Sequence, residues 1–181
     1  MSRSRLGEYA AALADFDRAI KLIPGFAEGH WCRGITRWRS GDDEGAMADY
    51  NRALEIDARL VPALSARGQA WLRRNEVGRP VADFDRAIEA DPRCGPAHAN
   101  RGLLRAQRGD LEGARADLDR AIEIHPADAD ATGTRATVRR RQGDAAGAAA
   151  DYRRALEIAP PGWRGRTYAE QALRDLGDPP K

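Results

Sequence analysis

Lysine is almost missing from this chain of 181 residues: only Lys21 and Lys181 occur, against 28 arginines. With a formal net charge of only +2, that excess reads as the mark of a GC-rich coding sequence rather than a nucleic-acid footprint. Charged residues, 32% of the chain, are mixed in sign, the pattern of solvated helix faces. Cysteine is as scarce. Cys32 and Cys94 are not spaced as a metal knuckle, do not suggest a disulfide framework and read as two small, partly buried thiols. The three histidines, His30, His98 and His125, form no cluster with them. No run of 18 apolar residues exists, so no membrane-spanning segment is expected. The first nine residues lack the apolar core of a signal peptide, which makes the cytoplasm the expected location. There is no phosphate-binding glycine loop and no nucleophile–base pair. No catalytic residue, metal ligand or cofactor is expected.

What the chain has is repetition. Ala14–Ile20 and Ala82–Ile88 are identical, and near copies stand at Ala48–Leu54, Ala116–Ile122 and Ala150–Leu156. Successive copies lie 34 residues apart, without insertion or deletion. A fixed period of that length means one small unit stacked on copies of itself. Such an array offers a long surface rather than one deep cleft.

Each unit reads as helix, tight turn, helix. The register is set so that the recurring Gly-Asp falls at positions 15 and 16 of the 34. Gly41, Gly109 and Gly143 end the first helix, where glycine takes the left-handed conformation without a Cβ clash. Asp42, Asp110 or Asp144 then caps the second helix. Pro24, Pro92, Pro126 and Pro160 stop it, because proline lacks the N–H needed to continue. Two units depart: Asn75-Glu76 replaces Gly-Asp and is followed by Pro80, and Ala58 replaces the terminal proline, which predicts a more helical junction there. Position 8 carries Gly34, Gly68, Gly102 and Ala136, opposite large residues at position 24: Phe16, Tyr50, Phe84, Leu118 and Tyr152. A glycine inside a helix costs up to about 1 kcal/mol relative to alanine, so its recurrence predicts close helix–helix approach.

Two charged columns flank that seam. Arg33, Arg67, Arg101 and Arg135 stand at position 7; Asp15, Asp49, Asp83, Asp117 and Asp151 stand at position 23. A catalytic constellation occurs once, whereas a residue present in every unit serves something every unit needs. The columns therefore predict a structural ladder of Arg–Asp pairs.

A 34-residue helix–turn–helix with Gly or Ala at 8, Ala at 20, an aromatic at 24, Ala at 27 and Pro at 32 resembles the tetratricopeptide repeat. The resemblance implies an all-α solenoid winding as a right-handed superhelix. It divides the chain into a partial unit at 1–26, full units at 27–60, 61–94, 95–128 and 129–162, a capping helix at 163–177 and a tail at 178–181. The family's leucine at position 7 is replaced by arginine, and its aromatic at position 11 survives only as Trp71. In this family the first helices line the concave face, chiefly through positions 2, 5, 9, 12 and 13. Carried onto this sequence, those columns give Trp31, Ile35, Trp38 and Arg39, then Gln69, Leu72 and Arg73, then Leu103, then Arg140, with Arg164 on the end helix. The implied groove is apolar and aromatic at its N-terminal end and basic at its C-terminal end. The alternative is that Trp31 and Trp38 pack under the preceding unit. The family's clamp for chaperone C-termini is absent, since position 5 holds Trp31, Ser65, Ala99 and Gly133.

The expected function is a non-catalytic scaffold that binds a protein or peptide partner carrying apolar or aromatic and acidic residues. The competing expectation is an assembly module of a larger or oligomeric protein. In that reading Met1–Leu6 forms at most a stub of first helix, and the uncapped N-terminal edge (Leu13, Phe16 and Ile20) self-associates or meets further repeats. Nucleic-acid binding and membrane association are not expected.

Overall fold

A computed structural model describes the backbone of residues 3–73 and 79–178 and the side chains of residues 7–72 and 81–178. Asn75-Glu76 and the side chains of Arg73 and Pro80 lie outside the described residues. The described residues form ten helices and no strand, grouped into two compact units, residues 1–92 and 93–181. The first unit holds α1 (Arg3–Leu22), α2 (Ala27–Ser40), α3 (Asp43–Ile56), α4 (Val61–Arg73) and α5 (Arg79–Ala90). The second holds α6 (Gly95–Gln107), α7 (Leu111–Ile124), α8 (Ala129–Arg141), α9 (Ala145–Ile158) and α10 (Arg166–Asp175). The most extensive packing joins consecutive helices within a repeat: α2 with α3, α4 with α5, α6 with α7 and α8 with α9.

The turns form as the glycines and aspartates require. Gly41, Gly109 and Gly143 have φ of 96°, 88° and 85°. Asp42, Asp110 and Asp144 accept from the backbone N–H of Gly45, Gly113 and Gly147 at 2.8–2.9 Å. The close approach at position 8 is also present. A Cβ on Gly34 would lie 2.6 Å from the Tyr50 ring, and one on Gly68 would lie 2.5 Å from Phe84. Tyr50, Phe84, Leu118 and Tyr152 are buried in these seams.

The Arg–Asp ladder is real and wider than the two columns. Arg33, Arg67, Arg101 and Arg135 each grip the aspartate 16 residues on, through Nε at 2.8–2.9 Å and Nη2 at 2.6–2.7 Å. Such bidentate, charge-assisted pairs fix orientation as well as distance. The remaining nitrogen, Nη1, reaches the second helix of the preceding repeat: Asp17 from Arg33, Asn51 from Arg67 and Asp119 from Arg135. One guanidinium thus ties three helices. A second arginine, four residues later, joins the same buried carboxylate: Arg37 on Asp49, Arg105 on Asp117 and Arg139 on Asp151. Those three stand where the family has an aromatic, and the sequence reading did not assign them.

Two expectations fail. The register places a turn at Gly7-Glu8, but α1 runs through it without a break. Glu8 is not a capping residue, and an interior glycine costs a helix only about 1 kcal/mol. The junction at Ala58 is no more helical than the others, because α3 ends at Ile56. There the Asp57 carboxylate accepts from the Arg59 N–H, and Arg86 donates to the Ala58 carbonyl. Those bonds close the junction that proline closes elsewhere.

Candidate functional site

In the first unit, Trp31, Ile35 and Trp38 do share one face of α2. They are half-buried against Ala46, Met47 and Tyr50 of α3 and Ala66 and Ala70 of α4, joined by Trp71. The stripe therefore contributes to packing and keeps part of its surface in water. Arg39 is exposed in the last turn of α2, and Gln69 and Leu72 are half-buried on α4. Beneath the stripe, the Tyr50 hydroxyl is buried without a hydrogen-bond partner.

The second unit holds a pocket of about 320 Å³ between α6, α8 and α10. Its floor is Ala106, Val138, Tyr152 and Ala169, all buried. Its walls are Leu103 of α6, 36% exposed, Tyr168 of α10, 51% exposed, and Trp163. Gly133 makes room for the indole: a Cβ there would sit 3.3 Å from the Trp163 ring. Trp163 Nε1 donates to the Asp130 carboxylate at 2.6 Å, which pins the ring across the start of α8. The Tyr152 hydroxyl lies 3.0 Å from Thr137 Oγ1, and Thr137 donates to the Gly133 carbonyl. Burial pushes the Tyr152 phenol up, so it stays protonated. At the far end of α8, Arg140 Nη2 donates to the Tyr168 hydroxyl at 2.9 Å, and Arg141 Nη1 donates to the Ala106 carbonyl.

The arginines expected toward this end of the chain stand at the rim of an apolar and aromatic depression. Leu103 and Arg140 belong to it, Leu103 as wall and Arg140 through Tyr168. Trp163 and Tyr168 were missed because they stand at positions 1 and 6 of their unit, outside the columns that the resemblance assigns to the concave face. α10 starts at Arg166, so Arg164 lies in the turn before the helix rather than on it. Ala169, Ala172 and Leu173 are buried against Ala148, Ala149 and Tyr152 of α9, while Arg166, Arg174 and Asp175 face water.

The described residues hold no cluster of His, Cys, Asp and Glu able to bind a metal ion. His30 and His98 are buried beside Asp49 and Asp117, as neighbours of the ladder. Burial, aided by the charge of Glu28, pushes the Cys32 thiol up, which makes it a poor nucleophile. Among the described residues no helix is long and apolar enough to cross a membrane.

These features define an all-α repeat protein of paired helices. The chain belongs to the tetratricopeptide repeat family, whose profile matches residues 1–60, 65–129 and 100–162. No curated protein matches it. Among solved structures it resembles PilW, a widely conserved type IV pilus biogenesis factor, at 21% identity and a TM-score of 0.82, over 97% of this chain and 81% of that one. It is also similar to a thermophilic tetratricopeptide repeat protein of Thermus thermophilus, at 25% identity and a TM-score of 0.73, over 93% of this chain and 92% of that one. A third similar structure is YrrB, at 20% identity and a TM-score of 0.71, over 94% of this chain and 86% of that one. Proteins of this family act as protein-interaction scaffolds and are generally non-catalytic.

Proposed function

We propose that this chain is a non-catalytic scaffold that holds a partner peptide or protein on the exposed faces of its first helices. The observation that carries the reading is the open pocket between α6, α8 and α10, lined mainly by apolar side chains with a few fixed polar groups. Its volume, about 320 Å³, lies at the small end of ligand sites and suits one or two side chains of an extended segment. The half-buried Trp31–Ile35–Trp38 stripe, with Arg39, Gln69 and Leu72 beside it and Arg73 next along α4, is a second contact region of the same kind. Aromatic side chains and arginines of this sort dominate binding energy at interfaces. The same fold carries an unusual peptide-binding site in YrrB. A polypeptide fits better than nucleic acid, because a net charge of +2 supplies no phosphate-tracking field.

The test is an array of immobilised peptides of varied sequence probed with the whole chain. The scaffold reading expects a subset to bind above background, and it fails if none does. The second reading, an assembly module, is favoured by one observation: Leu22 and Ile23 at the end of α1 are 75% and 60% exposed.

A further inference from the structure

Resting on the scaffold reading, we propose that the α6–α8–α10 pocket takes an aromatic or branched aliphatic side chain whose neighbours in the partner are acidic, with Arg140 and Arg141 holding the carboxylates. The interior argues for the first half. Two of the polar groups that line it are already engaged. Trp163 Nε1 is bonded to Asp130, and the Tyr152 hydroxyl to Thr137. A polar side chain pushed between Leu103, Val138 and Tyr168 would leave water and find few partners, whereas an apolar one loses nothing.

The rim argues for the second half. α8 carries four arginines in its last two turns, and they divide into two kinds. Arg135 and Arg139 share the buried Asp151 carboxylate. Arg140 and Arg141 bond only neutral oxygens, the Tyr168 hydroxyl and the Ala106 carbonyl, and no carboxylate pairs with either among the described residues. Each guanidinium has further N–H groups in a planar fork that matches a carboxylate. The site is also polar in direction. Asp130 stands eleven residues earlier on α8, roughly 16 Å away along the helix axis. Its charge repels a carboxylate at that end. The acidic residues of the ligand therefore lie toward the C-terminal end of α8, with the apolar anchor over Gly133 and Thr137.

The experiment uses the whole chain and fluorescein-labelled Gly/Ser nonapeptides with a central leucine flanked on one side by two glutamates, placed before it in one peptide and after it in a second, with an amidated C-terminus. Control peptides replace the leucine by alanine or both glutamates by glutamine. One further peptide ends in leucine with a free carboxylate. Titration should show the tighter glutamate–leucine peptide binding about tenfold more tightly than either of its controls, the factor expected for two lost solvent-exposed ion pairs or one lost anchor. Arg141→Gln and Arg140→Gln should remove the preference for glutamate over glutamine while leaving the glutamine peptide's affinity unchanged. Tyr168→Ala should weaken both peptides, and Leu103→Ala provides a second wall variant if Tyr168→Ala melts early. Arg59→Gln, an exposed arginine of the first unit, should change nothing.

The proposal is overturned if all the peptides bind alike or none binds. It is equally overturned if the arginine variants keep the acidic preference, or if the free-carboxylate peptide binds more tightly than both flanked ones. In each of these cases the scaffold reading is judged separately by the array. Array binders that survive every pocket variant would keep the scaffold and reject this pocket.

Discussion

At the scale of the residue, the most telling comparison is between two tyrosines in one repeat position. Tyr50 and Tyr152 both fill the seam behind a small residue and both are buried. Tyr152 meets Thr137, whereas Tyr50 meets Ile35 in the corresponding place and its hydroxyl has no partner. An unpaired buried hydroxyl costs about 1–3 kcal/mol, while an ordinary hydrogen bond contributes about 1 kcal/mol. Tyr152→Phe should therefore destabilise the fold by about 1 kcal/mol, and Tyr50→Phe should be neutral or stabilising. Paired chemical melts of the two variants check both signs. The ladder gives a second comparison. Asp117 is buried between Arg101 and Arg105, so Asp117→Asn should cost about 3–5 kcal/mol by leaving two cations under-compensated. Glu123→Gln, which breaks an exposed pair with Arg120, should cost about 0–1 kcal/mol. Equal losses in denaturant titrations would show that the ladder contributes nothing beyond surface charge. The first pair of columns was legible because a charge repeated in register demands its opposite nearby. The second arginine was not read, although the sequence signals it. Trp71 replaces that arginine in the one unit where Asn51 replaces the preceding aspartate, so both charges vanish together.

At the scale of the element, helix ends were the most legible feature and α1 the least. Gly143 and Asp144 illustrate why. The glycine sits at φ 85°, and the aspartate caps the Gly147 N–H. Both jobs depend on residue type alone. A Cβ on Gly147 would come within 2.1 Å of an Asp144 oxygen. That oxygen ends a side chain that can give way, and in α8 the Asp128 carboxylate caps Ala131, an alanine in the same place, at 2.9 Å. Asp144→Ala should cost about 1 kcal/mol. Gly147→Ala should keep the cap and stabilise α9 by up to about 1 kcal/mol, because helix propensity favours alanine. Thermal melts of the two single variants and the double variant form the cycle, and a loss on Gly147→Ala that disappears in the Asp144→Ala background would show that the added Cβ displaces the cap. No such logic fixed α1. Glu8 stands where three other units carry the capping aspartate, so nothing starts a second helix after Gly7, and α1 continues through it.

At the scale of the whole molecule, the repeat register made the fold readable, since one 34-residue rule applied four times leaves little to local choice. The candidate pocket was not readable, because it depends on Trp163 and Tyr168, which lie outside the columns the resemblance points to, and on the late start of α10. The two ends also differ in physical character. Beyond α9, the helix α10 buries Leu173 and turns charged residues outward. At α1, Leu13, Phe16 and Ile20 are half-buried, and Leu22, Ile23 and Phe26 are 75%, 60% and 37% exposed. The other repeats carry Asp57, Asp91, His125 and Ala159 in the place of Ile23, so its exposure is not a property of the repeat. Three such side chains offer at most a few hundred Å², well below the roughly 1,600 Å² of a standard stable interface. The expected outcome is weak self-association that grows with concentration. Sedimentation equilibrium across a hundredfold concentration range should show it. Combining Leu22→Glu with Ile23→Glu should abolish it without lowering the melting temperature, since exposed positions tolerate charge. A tight dimer that survives both substitutions would place the association elsewhere on the chain, and a monomer at every concentration would show that this edge attracts no second copy.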